Sequence, residues 1–129
     1  MKNESRYSIR FTAEYVLVEI EGMLSGEEVI AASTEILHSS QFTYGDPQIW
    51  DASGADLSNI DGDTAEEVAE KLYQQWNPLP DSYVGLVAGR EINYSMVALF
   101  KEYYDRDHDY VRVFATIPEA EAWLLEKKG

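Results

Sequence analysis

Four carboxylates crowd the 18 residues from Pro47 to Thr64: Asp51, Asp56, Asp61 and Asp63. Oxygen ligands at that density would suit Mg²⁺ or Ca²⁺. The EF-hand spacing fails, because with Gly62 as the turn glycine its first ligand position falls on Leu57 and its last on Val68. Asp51 closes a short apolar run, Gln48-Ile49-Trp50, where a phosphoacceptor aspartate of the receiver type would stand. That chemistry also needs acids after the first strand and a lysine after a late one, and Thr116 follows the last strand instead. Carboxylates beside a helix start are more simply read as caps that accept free N–H groups and meet the positive end of the helix dipole. No metal site is expected. A nucleophile needs a base beside it. Of the two histidines, His38 falls at a helix end and His108 in an acidic turn, and neither shares a strand-end loop with a serine. There is no cysteine, GxSxG, Walker loop, GxGxxG or HExxH. No catalytic constellation and no cofactor are expected.

Strand and helix patterns must position these residues. Tyr7, Ile9 and Phe11, then Val16, Val18 and Ile20, alternate at the strand period across the short Thr12-Ala13-Glu14 link, which predicts a hairpin ended by Glu21-Gly22. Ser25 with Glu28 forms a capping box for a helix to about His38, with Val29, Ala32, Ile36 and Leu37 inward. A third strand holds Ile49 and Trp50 and ends on Asp51. Asp63 with Glu66, or Thr64 with Glu67, is the expected cap of a second helix, with Ala65, Val68, Ala69, Leu72, Tyr73 and Trp76 on one stripe. Asn77-Pro78-Leu79-Pro80 stops it. Tyr83–Ala88 is apolar enough for a strand buried on both faces. A third helix over 92–105 carries Ile92, Met96, Leu99, Phe100 and Tyr103 on one side, with Tyr94 and Val97 off that stripe. Tyr110–Ala115 is the last strand. Thr116 with Glu119, and Pro118 in the first turn, open the last helix, which faces Ala120, Trp123 and Leu124 inward. The order β-β-α-β-α-β-α-β-α predicts a single α/β domain over residues 1–129, with a mostly parallel sheet after an N-terminal antiparallel hairpin.

Composition narrows the partners. The chain has 129 residues, 45% of them hydrophobic, and a net charge of −14. Residues 11–70 hold 14 acids and neither Lys nor Arg. Such a surface repels phosphate backbones and anionic headgroups. Nucleic acid is therefore not expected as a partner, whereas a protein with a basic surface is. The same acids also read as a plain solvated surface. The N-terminus lacks the apolar core of a signal peptide, and no run reaches the roughly 20 apolar residues of a membrane span. A cytoplasmic location is expected.

The element order, the stretch Gly22-Met23-Leu24-Ser25-Gly26-Glu27-Glu28, the run Ile49-Trp50-Asp51-Ala52-Ser53-Gly54, and the ending Val111–Phe114 through Glu119–Leu124 carry a resemblance over nearly the whole chain. The chain resembles the STAS domain of bacterial anti-sigma-factor antagonists, and more closely the SpoIIAA-like group, also described as STAS/SEC14-like. The resemblance implies a non-catalytic signal-transduction or protein-binding module. In the antagonists a serine just before a glycine at the helix start is phosphorylated. The equivalent position here falls on or next to Asp61, before Gly62, so that switch does not carry over. A fixed carboxylate mimics a phosphate only crudely.

Two functions follow as expectations. The first is protein docking through the strand-end loop, with Asp51, Ser53, Asp56, Ser58, Asp61 and Thr64 as the contact candidates. The second, implied by the SEC14-like analogy, is binding of a lipid or other apolar ligand, or peripheral membrane association. That reading requires a cavity between the third helix and the sheet. Tyr94, Met96, Val97, Phe100 and Tyr104 are its candidates, either as cavity wall or as a homodimer face.

Overall fold

The computed structural model describes residues 6–43, 45–76, 83–89, 91–105 and 110–128. Strands β1 (Arg6–Phe11) and β2 (Val16–Met23) pair antiparallel. Thr12 closes the turn between them: its Oγ1 donates to Tyr15 O and accepts from the N–H groups of Glu14 and Tyr15. Three crossovers follow, through α1 (Gly26–Leu37) to β3 (Gln48–Asp56), α2 (Gly62–Gln75) to β4 (Val84–Val87) and α3 (Glu91–Tyr104) to β5 (Val111–Phe114); α4 (Ile117–Lys128) ends the chain. The sheet order is β1-β2-β3-β4-β5, with every pair after the hairpin parallel.

This order decides the layers. Each crossover moves one strand further in the same direction. Right-handed connections therefore place α1, α2 and α3 on one face. Only α4, which follows the last strand, is left for the other. The core divides accordingly. Val16, Val18, Ile20, Ala52, Ile36, Val68, Leu72 and Trp76 belong to the three-helix side. Leu17, Ile49, Val87, Ala120, Trp123 and Leu124 belong to the α4 side. α4 rests on β3, β4 and β5. Its close approach depends on Gly85, where a Cβ would lie 3.1 Å from Ala120 Cβ.

Helix starts follow the local chemistry. Ser25 and Glu28 form the expected capping box on α1. Thr116 and Glu119 do the same for α4: the Glu119 carboxylate accepts from Thr116 N at 3.0 Å, and Glu119 N donates to Thr116 Oγ1 at 3.4 Å. Trp76 is a core residue at the end of α2, and Tyr73 is half-buried. The stop at 77–80, the side chain of Ile92 and His108 lie outside the described residues.

Four expectations are corrected. β2 does not break at Glu21-Gly22 but runs to Met23, since Gly22 adopts φ 81° and stays paired with Ala55. β3 does not end at Asp51. It continues to Asp56 through a bulge, because between the pairs Glu19–Asp51 and Glu21–Gly54 one residue of β2, Ile20, faces two of β3, Ala52 and Ser53. The cap of α2 is Asp61, two residues before Asp63, since Gly62 is already helical and the Asp61 carboxylate accepts from Thr64 N. On α3 the inner stripe is Met96, Val97, Phe100 and Tyr104. Leu99 leans instead toward Gly62, because α3 packs on α2 as well as on the sheet.

Tyr15 ties the hairpin to α4 by donating from its hydroxyl to Glu121 Oε2 at 2.5 Å. Burial, that hydrogen bond and the Glu121 charge hold the phenol protonated and push its pKa up to about 12. The raised value stabilises the fold fully below pH 10, and the gain disappears as pH climbs through about 12. Tyr15→Phe should lose about 1 kcal/mol at neutral pH. In urea melts across the alkaline range, the gap to the parent should narrow as pH rises past 10; a gap independent of pH would show that the hydroxyl does not couple these elements.

Candidate functional site

The strand-end loop holds the carboxylates in local structure. Asp51 is half-buried, and its Oδ1 accepts from Ser53 N at 3.0 Å and Ser53 Oγ at 2.6 Å. Asp56 is exposed and accepts from Ser58 N at 2.9 Å. Asp61 accepts from Thr64 N at 2.8 Å, and this backbone N–H holds its carboxyl below the usual aspartate range. The charge of the cap is thus in place above the ordinary carboxylate pKa and disappears only as pH falls through the lowered one. Ser58 is exposed and Thr64 half-exposed. The six loop candidates are therefore spread over a bulged strand, a turn and a helix cap. No group of three or more acidic, histidine or cysteine side chains among the described residues is arranged to hold a metal.

The apolar candidates do converge. Under α3 lies a cavity of about 120 Å³. Its floor is the sheet, at Ile20, Trp50, Ala52 and Leu86. One wall is α2, through Ala65, Val68, Leu72 and Trp76; the facing wall is α3, through Met96, Val97, Phe100 and Tyr104. Val29 and Ser33 of α1, the loop residues Leu57 and Ile60, and Gln48, Val84 and Val111 complete it. Tyr94 does not line it and stands 48% exposed. Phe100 and Tyr104 stack, with ring centres 5.6 Å apart and planes 9° from parallel. No Asp, Glu, Lys, Arg or His is among the described lining residues.

Three polar side chains of the wall, Trp50, Trp76 and Ser33, are bonded to other side chains. Trp50 Nε1 donates to Gln48 Oε1 at 2.8 Å. Trp76 Nε1 donates to Ser33 Oγ at 2.7 Å, and Ser33 Oγ donates on to Gln75 Oε1 at 2.8 Å. Gln75 Nε2 donates to Thr34 Oγ1, which donates to Ile30 O. The relay ends on backbone, so these side chains are satisfied within the protein.

α3 is held at its ends. Asn93, 2% exposed, donates from Nδ2 toward Ala52 O, Ala55 O and Ala88 O at 3.2, 3.1 and 3.5 Å. These carbonyls lie where β3 bulges and outruns β4, whose pairing with β3 stops at Asp51–Val87. Gly89 makes the junction tight: it has φ +73°, and a Cβ there would fall 2.2 Å from Ser53 Cβ. At the other end the Asp105 carboxylate accepts from Tyr110 N and Val111 N at 3.1 and 3.0 Å. Between these two residues no described side chain of α3 is fully buried, whereas α2 buries Ala65, Val68, Ala69 and Leu72.

Sequence reasoning named four of the wall residues and missed the rest. Gln48, Trp50 and Ala52 sit at alternate positions of β3 and share a face, a signal that reading the strand as ending at Asp51 obscured. Asn93 offered no signal, since two of its three partners are carbonyls 41 and 38 residues away. No family model matches the chain, and no curated protein matches it.

Asn93→Ala should cost about 2–4 kcal/mol in urea denaturation, because buried carbonyls lose their donor. Asn93→Asp should cost more at neutral pH and recover part of the loss on acidification, when the carboxyl regains a proton to donate. A loss below about 0.5 kcal/mol for Asn93→Ala would show that the junction is held otherwise.

Proposed function

We propose that this domain is a non-catalytic binding protein whose ligand is an apolar molecule held between α3 and the sheet. The observation that carries the reading is the cavity of about 120 Å³ with its uncharged lining. The cavity is partly open to solvent, so the cost of about 3 kcal/mol for an enclosed void of that size is an upper bound. That is a large share of a typical stability of about 5–15 kcal/mol. Interiors are otherwise packed as densely as organic crystals. A ligand offsets the cost by restoring contacts. Apolar clefts with a few fixed polar groups are the usual form of small-molecule sites.

The reading belongs with the SEC14-like side of the resemblance and with a cytoplasmic compartment, both drawn from the sequence. No helix among the described residues is long and apolar enough to cross a membrane. The protein-docking reading has less behind it. Asp51, Asp56 and Asp61 each accept a local hydrogen bond, so their positions serve the turn and the cap as well as any partner.

Xenon is a probe without chemical bias. Pressurised xenon should occupy the cavity, giving a saturable ¹²⁹Xe shift. Ala65→Leu places a larger side chain in the α2 wall and should abolish that shift while keeping or raising the melting temperature. A non-saturable shift, or a loss of about 1–3 kcal/mol in the variant as expected for an already full core, would overturn the proposal.

A further inference from the structure

We infer that the ligand is a compact, uncharged ring compound of roughly benzene-to-indole size, and not a fatty acid or a phospholipid. This rests on the apolar-ligand reading and narrows it. Size comes first. An apolar cavity of about 150 Å³ accepts benzene, and sites for drug-sized molecules run to about 300–1,000 Å³. The cavity, about 120 Å³ and partly open to solvent, is nearer the former in the space it shelters.

Charge comes second. A fatty acid would bring a carboxylate, which on burial needs a cation or several donors. The described lining has no Lys, Arg or His. The indole N–H groups of Trp50 and Trp76 already donate to Gln48 and Ser33, the Ser33 hydroxyl donates to Gln75, and the other polar groups of the lining, the Gln48 amide and the Tyr104 hydroxyl, are neutral. An anionic head left at the mouth fares no better. Half of the lining residues come from the segment 11–70, which has 14 acids and no basic residue, on a chain of net charge −14. That field repels fatty-acid carboxylates and anionic headgroups alike.

Shape comes third. Trp50, Trp76, Phe100 and Tyr104 bring four aromatic rings to one small space. Aromatic pairs prefer offset-stacked or edge-to-face contact, which a flat ring satisfies and a flexible chain does not.

The test uses the full chain with three probes: toluene, octanoate and vesicles of anionic phospholipid. Binding is read from methyl resonances of Ala52, Ala65, Met96 and Val97 and from the melting temperature. Toluene should shift those resonances and raise the melting temperature, with an affinity about tenfold or more above that of octanoate. Vesicles should neither shift them nor sediment with the protein. Octanoate binding at the same resonances as tightly as toluene, or co-sedimentation with vesicles, would overturn the ligand class and leave the cavity reading standing. No shift with toluene or octanoate, together with no xenon signal, would overturn both.

Discussion

A strand order that advances in one direction, joined by right-handed crossovers, leaves the chain no choice about its layers. Three helices share one face of five strands, and the last helix has the other to itself. The crowded face is where the interior becomes hard to fill. α1, α2 and α3 must span the sheet side by side, and each must follow the twist of the strand it leaves. α1 and α2 contribute fully buried residues to the core cluster that β2 and β3 share. α3, the last of the three, reaches the sheet with Met96, Val97, Phe100 and Tyr104 only half-buried, and the space beneath it is the cavity.

The means of holding α3 complements that arrangement. Its two ends are secured by polar side chains, Asn93 on carbonyls of β3 and of the residue after β4, and Asp105 on N–H groups at the start of β5. Buried hydrogen bonds are directional and expensive to leave unmade, so they fix position where packing is thin. The bulge in β3 belongs to the same device. It extends β3 beyond β4 and turns carbonyls toward Asn93, while Gly89 lets the backbone pass against Ser53. Between its ends the helix meets the core only through partly buried side chains, Met96, Val97, Phe100 and Tyr104.

Charge and polarity are kept apart. Around the end of β3 and along α2 the acids face outward: Asp56, Asp61, Asp63, Glu66, Glu67 and Glu70 are all exposed. The interior beneath them has an uncharged lining and a polar relay that closes on itself from Trp76 through Ser33, Gln75 and Thr34 to the backbone. Each side chain of the relay bonds to its neighbours, which fixes the polar part of this wall before any ligand enters.

Local chemistry made most of the elements legible from sequence. The capping pairs Ser25–Glu28 and Thr116–Glu119, the alternation in β1 and β2 and the stripe from Ala65 to Trp76 each depend on neighbours within a few residues, so the chain displays them openly. The α/β class and the mostly parallel sheet followed from their order. Long-range geometry was not legible. The bulge that carries β3 past Asp51 depends on its register with β2, and the buried place of Asn93 depends on carbonyls 38 and 41 residues away. Val97 and Tyr104 joined the inner face of α3 because α2 and the sheet together set the rotation of that helix, which its own periodicity left open. Periodicity and caps are encoded by neighbours along the chain. A cavity is a difference between the space that packed elements enclose and the side-chain volume they bring to it, and only the tertiary structure decided that.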